Sequence, residues 1–188
     1  MRFEAYTVNR QDEVAALADR VFGDGYFADR SAIAGAPGKC ISLCIGDDDE
    51  LAGFARGRVL PPGGFGAFVE HRVGEVPEDL SVADAAGVIG TILNVAVASE
   101  YQGKGVGTKL LTILHDQLVG QGGDKLIATF RRGPGARYVD GIMERLGFEF
   151  WTRLGTYEQE RCDRGEFKCA HRTDRCGCEA LFYRKVVY

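Results

Sequence analysis

The segment Leu93-Asn94-Val95-Ala96-Val97-Ala98-Ser99-Glu100-Tyr101-Gln102-Gly103-Lys104-Gly105-Val106-Gly107-Thr108 holds the residues whose types and spacing can do chemistry. An apolar, β-branched run stops at a polar turn, glycines follow at 103, 105 and 107, and an amphipathic stretch begins at once. Glycine lets the main chain come close to a ligand, and a helix start leaves N–H groups without intrahelical acceptors. Together they suit a phosphate or pyrophosphate. Two familiar phosphate loops do not fit. The chain has no G-x-x-x-x-G-K-[ST] string, and the spacing of Gly103, Gly105 and Gly107 is one residue short of the dinucleotide fingerprint G-x-G-x-x-G.

What does fit is Gln102-x-x-Gly105-x-Gly107, preceded by Val95-Ala96-Val97 and followed by the amphipathic stretch. This resembles motif A of the GCN5-related N-acetyltransferase (GNAT) superfamily, [QR]-x-x-G-x-[GA], and the wider phrase is similar to the family over some sixteen positions. The resemblance implies acetyl-CoA as co-substrate and an amine as acceptor. It assigns the pyrophosphate to main-chain N–H groups of Gln102, Gly103, Lys104, Gly105, Val106, Gly107 and Thr108. The pantetheine arm goes to the main chain of Val95, Ala96 and Val97. One strand N–H there could polarise the thioester carbonyl. Transfer in the family is usually direct, and since amines are mostly protonated at neutral pH, a base or a water chain must remove the proton.

The family's acid and base do not carry over. Many members place a Tyr four residues before the Gly-Phe junction, as acid for the departing thiolate; here that position is Met143, whose thioether has no proton to donate. Tyr138 is the substitute candidate, in a different register, and a packing role is its alternative. The Glu often found as base on the central strand aligns with Thr91. Asn94 could orient an acceptor or a water, or make a core hydrogen bond. Glu70 and His71 remain as base candidates, His71 titrating in the useful range, while His115 falls on the polar side of its helix.

Four of the six cysteines, Cys162, Cys169, Cys176 and Cys178, lie within seventeen residues as C-x6-C-x6-C-x-C. In a cytoplasmic protein such crowding favours a metal over disulfides, and four thiolates close a tetrahedral zinc site. His171 could replace one of them, and reduced thiols are the alternative. The same segment, 161–178, is rich in Arg and Lys and reads by default as a solvated loop. Cys40 and Cys44 read as strand packing.

The elements that must position these groups are legible in part. Helical spacing marks 11–22, 106–120 and the stretch around 139–146; a short helix is expected near 31–35. Strands are expected at 2–8, 40–45, 51–59, 88–97, 125–130, 148–152 and 180–187, with Asp47-Asp48-Asp49-Glu50 at a solvated hairpin tip. Residues 61–87 show no sustained period. The order resembles the GNAT fold: α/β, a mixed central sheet of about seven strands splayed at the central strand, and helices on both faces. At 188 residues the chain is expected to be one N-acetyltransferase domain, 1–188, with the cysteine-rich segment inserted between the last two strands.

Hydrophobic residues at 45%, charged residues at 27% and a net charge of -4 give no footprint for nucleic acid or an anionic membrane. No apolar run spans a bilayer and no signal-peptide core opens the chain, so a cytoplasmic location is the expectation. Dimers are common in relatives, and the acceptor and oligomeric state stay open. The rivals to an acetyltransferase are a non-catalytic acyl-CoA sensor and an interaction protein working through the cysteine-rich loop.

Overall fold

The computed structural model describes residues 1–27, 29–34, 38–69, 73–132, 138–155, 157–165, 168–169 and 177–187. Seven strands form one mixed sheet in the order β1-β2-β3-β4-β5-β7-β6. They are β1 (Arg2–Ala5), β2 (Lys39–Ile45), β3 (Leu51–Val59), β4 (Ile89–Val97), β5 (Lys125–Arg132), β6 (Glu149–Leu154) and β7 (Glu179–Val186). All neighbouring pairs are antiparallel except β4 and β5, which run parallel. A parallel pair needs a crossover, and the helix α5 (Val106–Gly120) supplies it.

The pattern of side chains explains which helix covers which face. Leu110, Leu114 and Leu118 recur at four-residue spacing along α5 and are fully buried, each contributing roughly 1.5–3 kcal/mol through removal from water. They meet one face of the sheet through Ile92, Leu126 and Ala128, together with Met143 of α6 (Tyr138–Arg145). The other face carries two clusters. Val14, Leu17 and Ala18 of α1 (Gln11–Phe22) pack on Leu43 and Phe54. Phe65 of α3 (Phe65–Phe68) and Leu80 of α4 (Glu78–Ala86) pack on Ile89, Ile127 and Phe182.

The expected strands and helices are present, with 11–22, 51–59 and 106–120 at the expected bounds. The short helix expected near 31–35 is present as α2 (Ser31–Ala34). Three outcomes differ. The opening strand ends at Ala5, and a 3-10 turn over Val8–Arg10 leads into α1. The segment 61–87 contains α3 and α4: α3 is a single turn, too short to show a period, and α4 exposes most of its surface. A further helix, α7 (Tyr157–Asp163), opens the stretch between β6 and β7.

Candidate active site

Pairing between β4 and β5 runs from Ile89 with Lys125 to Ile92 with Ala128 and stops there. Both strands continue, β4 to Val97 and β5 to Arg132, each bonded only on its outer side. The cause is local. Arg56 faces Asn94 while Gly57 faces Ile92, so Leu93 is an extra residue that bends β4 away from its parallel neighbour. Gly57 is required at this bend, because a Cβ there would lie 2.4 Å from the Thr91 carbonyl oxygen. The result is a wedge whose β4 side offers the main chain of residues 93–97, with the Thr129 hydroxyl donating to the Ile92 carbonyl at its apex (3.4 Å).

The glycine loop lies at the open end of this wedge. Gly103 and Gly105 have φ of 72° and 80°, left-handed values that other residues seldom adopt. Gly105 is the cap of α5 and brings no side-chain acceptor to the helix start. Lys109 is the first residue whose N–H closes on the helix, to Gly105; the N–H groups of residues 103–108 have no acceptor among the described residues. That row, at the positive end of a fifteen-residue helix, forms a cradle with the geometry and polarity that suit an anion. Gln102 plays another part: its N–H bonds the Ser99 carbonyl, and its side-chain Nε2 donates to the Val97 carbonyl at 3.1 Å. Tyr101, just before it, donates to Glu50 of the β2–β3 turn, and that hydrogen bond pushes the phenol up to about 12.

The acid and base candidates separate clearly. Met143 is fully buried in the core beneath α5, as a thioether at a packing position would be. Thr91 is also buried and donates its hydroxyl to the Arg58 carbonyl at 3.0 Å. His115 bridges Asp116 and Lys185 on the α5 side. Glu70, His71 and the side chain of Tyr138 lie outside the described residues. Asp140, two residues on, accepts a hydrogen bond from Tyr183 of β7. Burial first, and then that bond, hold the Tyr183 phenol well above its ordinary range. Asn94 is 7% exposed and donates from Nδ2 to the Tyr26 hydroxyl at 2.6 Å; its Oδ1 is buried without a hydrogen-bond partner.

Cys162, Cys169 and Cys178 are buried together, with Tyr26 packed against them. The sulfurs of Cys169 and Cys178 are 3.7 Å apart, far beyond a disulfide of about 2.05 Å. Cys176 and His171 lie outside the described residues, and among those described no three His, Cys, Asp or Glu are grouped to hold a metal ion. Arg131 of β5 donates to Cys169 and to the Phe22 carbonyl, so this segment is tied to the end of α1. Cys40 and Cys44 are core residues whose thiols burial pushes up.

A model of the Acetyltransferase (GNAT) family matches residues 6–148. The chain belongs to this family. It therefore moves an acetyl group from acetyl-CoA to an amine. No curated protein matches by sequence. Solved GNAT structures align over nearly the whole chain. The ribosomal-protein-S18-alanine N-acetyltransferase from Escherichia coli has 17% identity and a TM-score of 0.65, covering 99% of this chain and 93% of its own. An aminoglycoside 6'-N-acetyltransferase complexed with coenzyme A has 11% identity and a TM-score of 0.66, covering 100% and 98%. The aminoglycoside 6'-N-acetyltransferase from Enterococcus faecium has 11% identity and a TM-score of 0.64, covering 100% and 98%. At such identities these likenesses carry the GNAT fold. No helix among the described residues is long and apolar enough to cross a membrane.

Sequence reasoning named Asn94 but missed the basic residues beside it on the α1 side of the GNAT wedge. Arg56 and Arg58 share one face of β3, Lys39 stands opposite Arg58, and Asn94 stands opposite Arg56. The signal was available: two arginines at alternate positions of an otherwise apolar interior strand put both charges on one face.

Proposed function

We propose that this chain is a single acetyl-CoA:amine N-acetyltransferase domain over residues 1–188. It grips the pyrophosphate on the N–H groups of Gly103, Lys104, Gly105, Val106, Gly107 and Thr108, with Gln102 bracing the loop. The pantetheine arm runs along Val95, Ala96 and Val97. The observation that carries this reading is the end of β4–β5 pairing at Ile92 and Ala128, directly ahead of N–H groups without acceptors. A pantetheine amide in the wedge takes the place of the missing strand partner. The thioester then lies at the wedge apex, where a β4 N–H can stabilise the oxyanion as the amine attacks. The new C–N bond forms, the C–S bond breaks, and the amine's proton leaves to a base or water.

Tyr138 is the proposed acid for the thiolate: it is the only tyrosine of α6, and Met143 on the same helix is committed to the core. The test is thiol release from acetyl-CoA against a panel of amines. Acceptor-dependent turnover is expected; binding of CoA with no turnover for any amine would leave a sensor instead.

A structural zinc held by Cys162, Cys169, Cys176 and Cys178 is a proposal for the segment between β6 and β7. It is supported by the 3.7 Å between the Cys169 and Cys178 sulfurs: two thiolates about 2.3 Å from a tetrahedral zinc stand about 3.8 Å apart. Metal analysis of protein prepared without chelator should give one zinc per chain, lost in Cys169→Ser; metal-free, fully folded protein would end the proposal.

A further inference from the structure

Two segments meet at the mouth of the wedge: the approach to the cradle, and the turn between β2 and β3. The chain leaves β4 at Val97, makes a 3-10 turn over Ser99–Tyr101 and enters the cradle at Gly103. Three bonds hold this approach. The Ala98 N–H donates to the Ala52 carbonyl at 3.0 Å, Gln102 Nε2 donates to the Val97 carbonyl, and the Tyr101 hydroxyl donates to Glu50 Oε1 at 2.5 Å. The last is a charge-assisted bond of the short kind, and it ties the loop to the turn.

The turn is built as an anchor. Asp49 takes a φ of 61°, the sole positive value of a non-glycine residue among those described. Arg10 fixes it there, with Nη1 on the Asp49 carbonyl and Nη2 on its carboxylate, both at 2.8 Å. The Gly46 N–H closes the turn onto the Glu50 carbonyl at 2.8 Å. Gly46 is not at positive φ, so what requires glycine there is space: a Cβ would run into the Tyr101 hydroxyl. The turn thus leaves a notch that the phenol fills. The ring packs against the clusters on both faces of the sheet, and the Lys104 ammonium of the cradle lies 5.2 Å from its centroid.

Gly103 and Gly105 give a free loop many conformations, few of which present a row of N–H groups to a phosphate. A loop already held in its bound shape loses less entropy on binding. Resting on the acetyl-CoA reading, we propose that Tyr101 and Glu50 are positioning residues for the pyrophosphate, the β2–β3 turn bracing the cradle through the phenol. The brace acts on the diphosphate end of the donor. Val97 and the wedge apex at Ile92 are five residues apart along β4, about 16 Å of extended chain, so the chemical step should not feel it.

Calorimetry with CoA tests this without any acceptor. Tyr101→Phe keeps the packed ring and loses the hydroxyl, Glu50→Ala removes the oxygen that accepts from it, and Gly46→Ala fills the notch. Each should weaken CoA binding about 3- to 10-fold, the usual worth of one hydrogen bond. Glu50→Gln keeps a side-chain oxygen that can accept, and should recover most of the affinity. Pantetheine, which lacks the diphosphate, should bind the natural chain and Tyr101→Phe alike by ligand-observed NMR at millimolar concentration. In turnover, KM for acetyl-CoA should rise by the same factor at unchanged kcat.

Unchanged CoA affinity in Tyr101→Phe overturns the inference. So does equal weakening of CoA and pantetheine, or a Glu50→Gln chain no better than Glu50→Ala; either makes the loss a general loosening. Failure of the natural chain to bind CoA is a separate result, read before any substitution, and it overturns the acetyl-CoA reading and this inference together.

Discussion

Asn94 hands its side-chain N–H to the hydroxyl of Tyr26 over 2.6 Å, joining the middle of the splayed strand to the turn after α1, 68 residues away. Tyr26 also packs on Phe22 and on the buried cysteines. One hydrogen bond thus connects the wedge, the end of α1 and the segment between β6 and β7. Tyr26→Phe leaves a buried amide N–H without its acceptor, at a cost of about 1–3 kcal/mol. Chemical denaturation should show that loss, with a larger rise in acceptor KM than in acetyl-CoA KM. A double-mutant cycle with Asn94→Ala should return a coupling of about 1 kcal/mol; additive effects would break the link.

The cradle depends on backbone conformation at Gly105 and tolerates a methyl group at Gly107. Gly105 has open space around it, but its φ of 80° strains any side chain, by about 1–2 kcal/mol. Gly105→Ala should weaken CoA binding about 5- to 30-fold by calorimetry. A Cβ at Gly107 would meet only Val97 Cγ2 at 3.5 Å, an ordinary contact. Gly107→Ala should keep the melting temperature of the unsubstituted chain.

At Gly57 the obstacle is space. A Cβ 2.4 Å from the Thr91 carbonyl oxygen and 3.2 Å from Leu114 Cδ1 forces the β3–β4 bulge apart. Gly57→Ala should cost about 1–3 kcal/mol in urea unfolding and loosen acetyl-CoA binding, since the same bulge opens the wedge.

Tyr138→Phe separates an acid from a packing ring. Loss of general acid catalysis should lower kcat by about 10²-fold at unchanged acetyl-CoA KM and flatten the alkaline limb of the pH profile. Unchanged kcat would return Tyr138 to packing. Met143→Leu, filling the same buried volume, should cost under about 1.5 kcal/mol and leave kcat alone.

The β2–β3 turn carries the clearest pH effect. Hydrogen bonds from Arg2, then Arg10, hold the Asp49 carboxyl below its ordinary value. A carboxyl lowered on folding stabilises the native state above its unfolded pKa of about 3.9 and loses that effect as pH falls through the lower folded value. The melting-temperature gap between the natural chain and Asp49→Asn should therefore be present at pH 7 and close as pH falls below the ordinary carboxylate range. It should also narrow in high salt, because the group is exposed.

The parts of this fold that announce themselves in sequence are those where period, breaker and burial agree. α5 is bounded by Gly105 and carries an uninterrupted leucine stripe, and β3 has a polar tip before it and Pro61 after it. The cradle was legible for the same reason: glycines required by φ stand at fixed spacing beside a strand. α3 was hidden because one turn has no period, and α4 because it buries only Leu80 and Ala83. The wedge itself was expected from resemblance alone, since the bulge at Leu93 depends on register with β3, which no single segment encodes. Of the Arg56–Arg58–Asn94 face only Asn94 was named, because the face is assembled from two strands whose pairing had to be known first.

A strand edge left unbonded in the middle of a seven-stranded sheet has a consequence for the resting protein. The amides of residues 93–97 that face the gap should trade hydrogen for deuterium quickly in the ligand-free molecule and slow sharply once coenzyme A fills it. The small molecule then acts as a stitch in the fabric, and melting temperature should climb with its concentration.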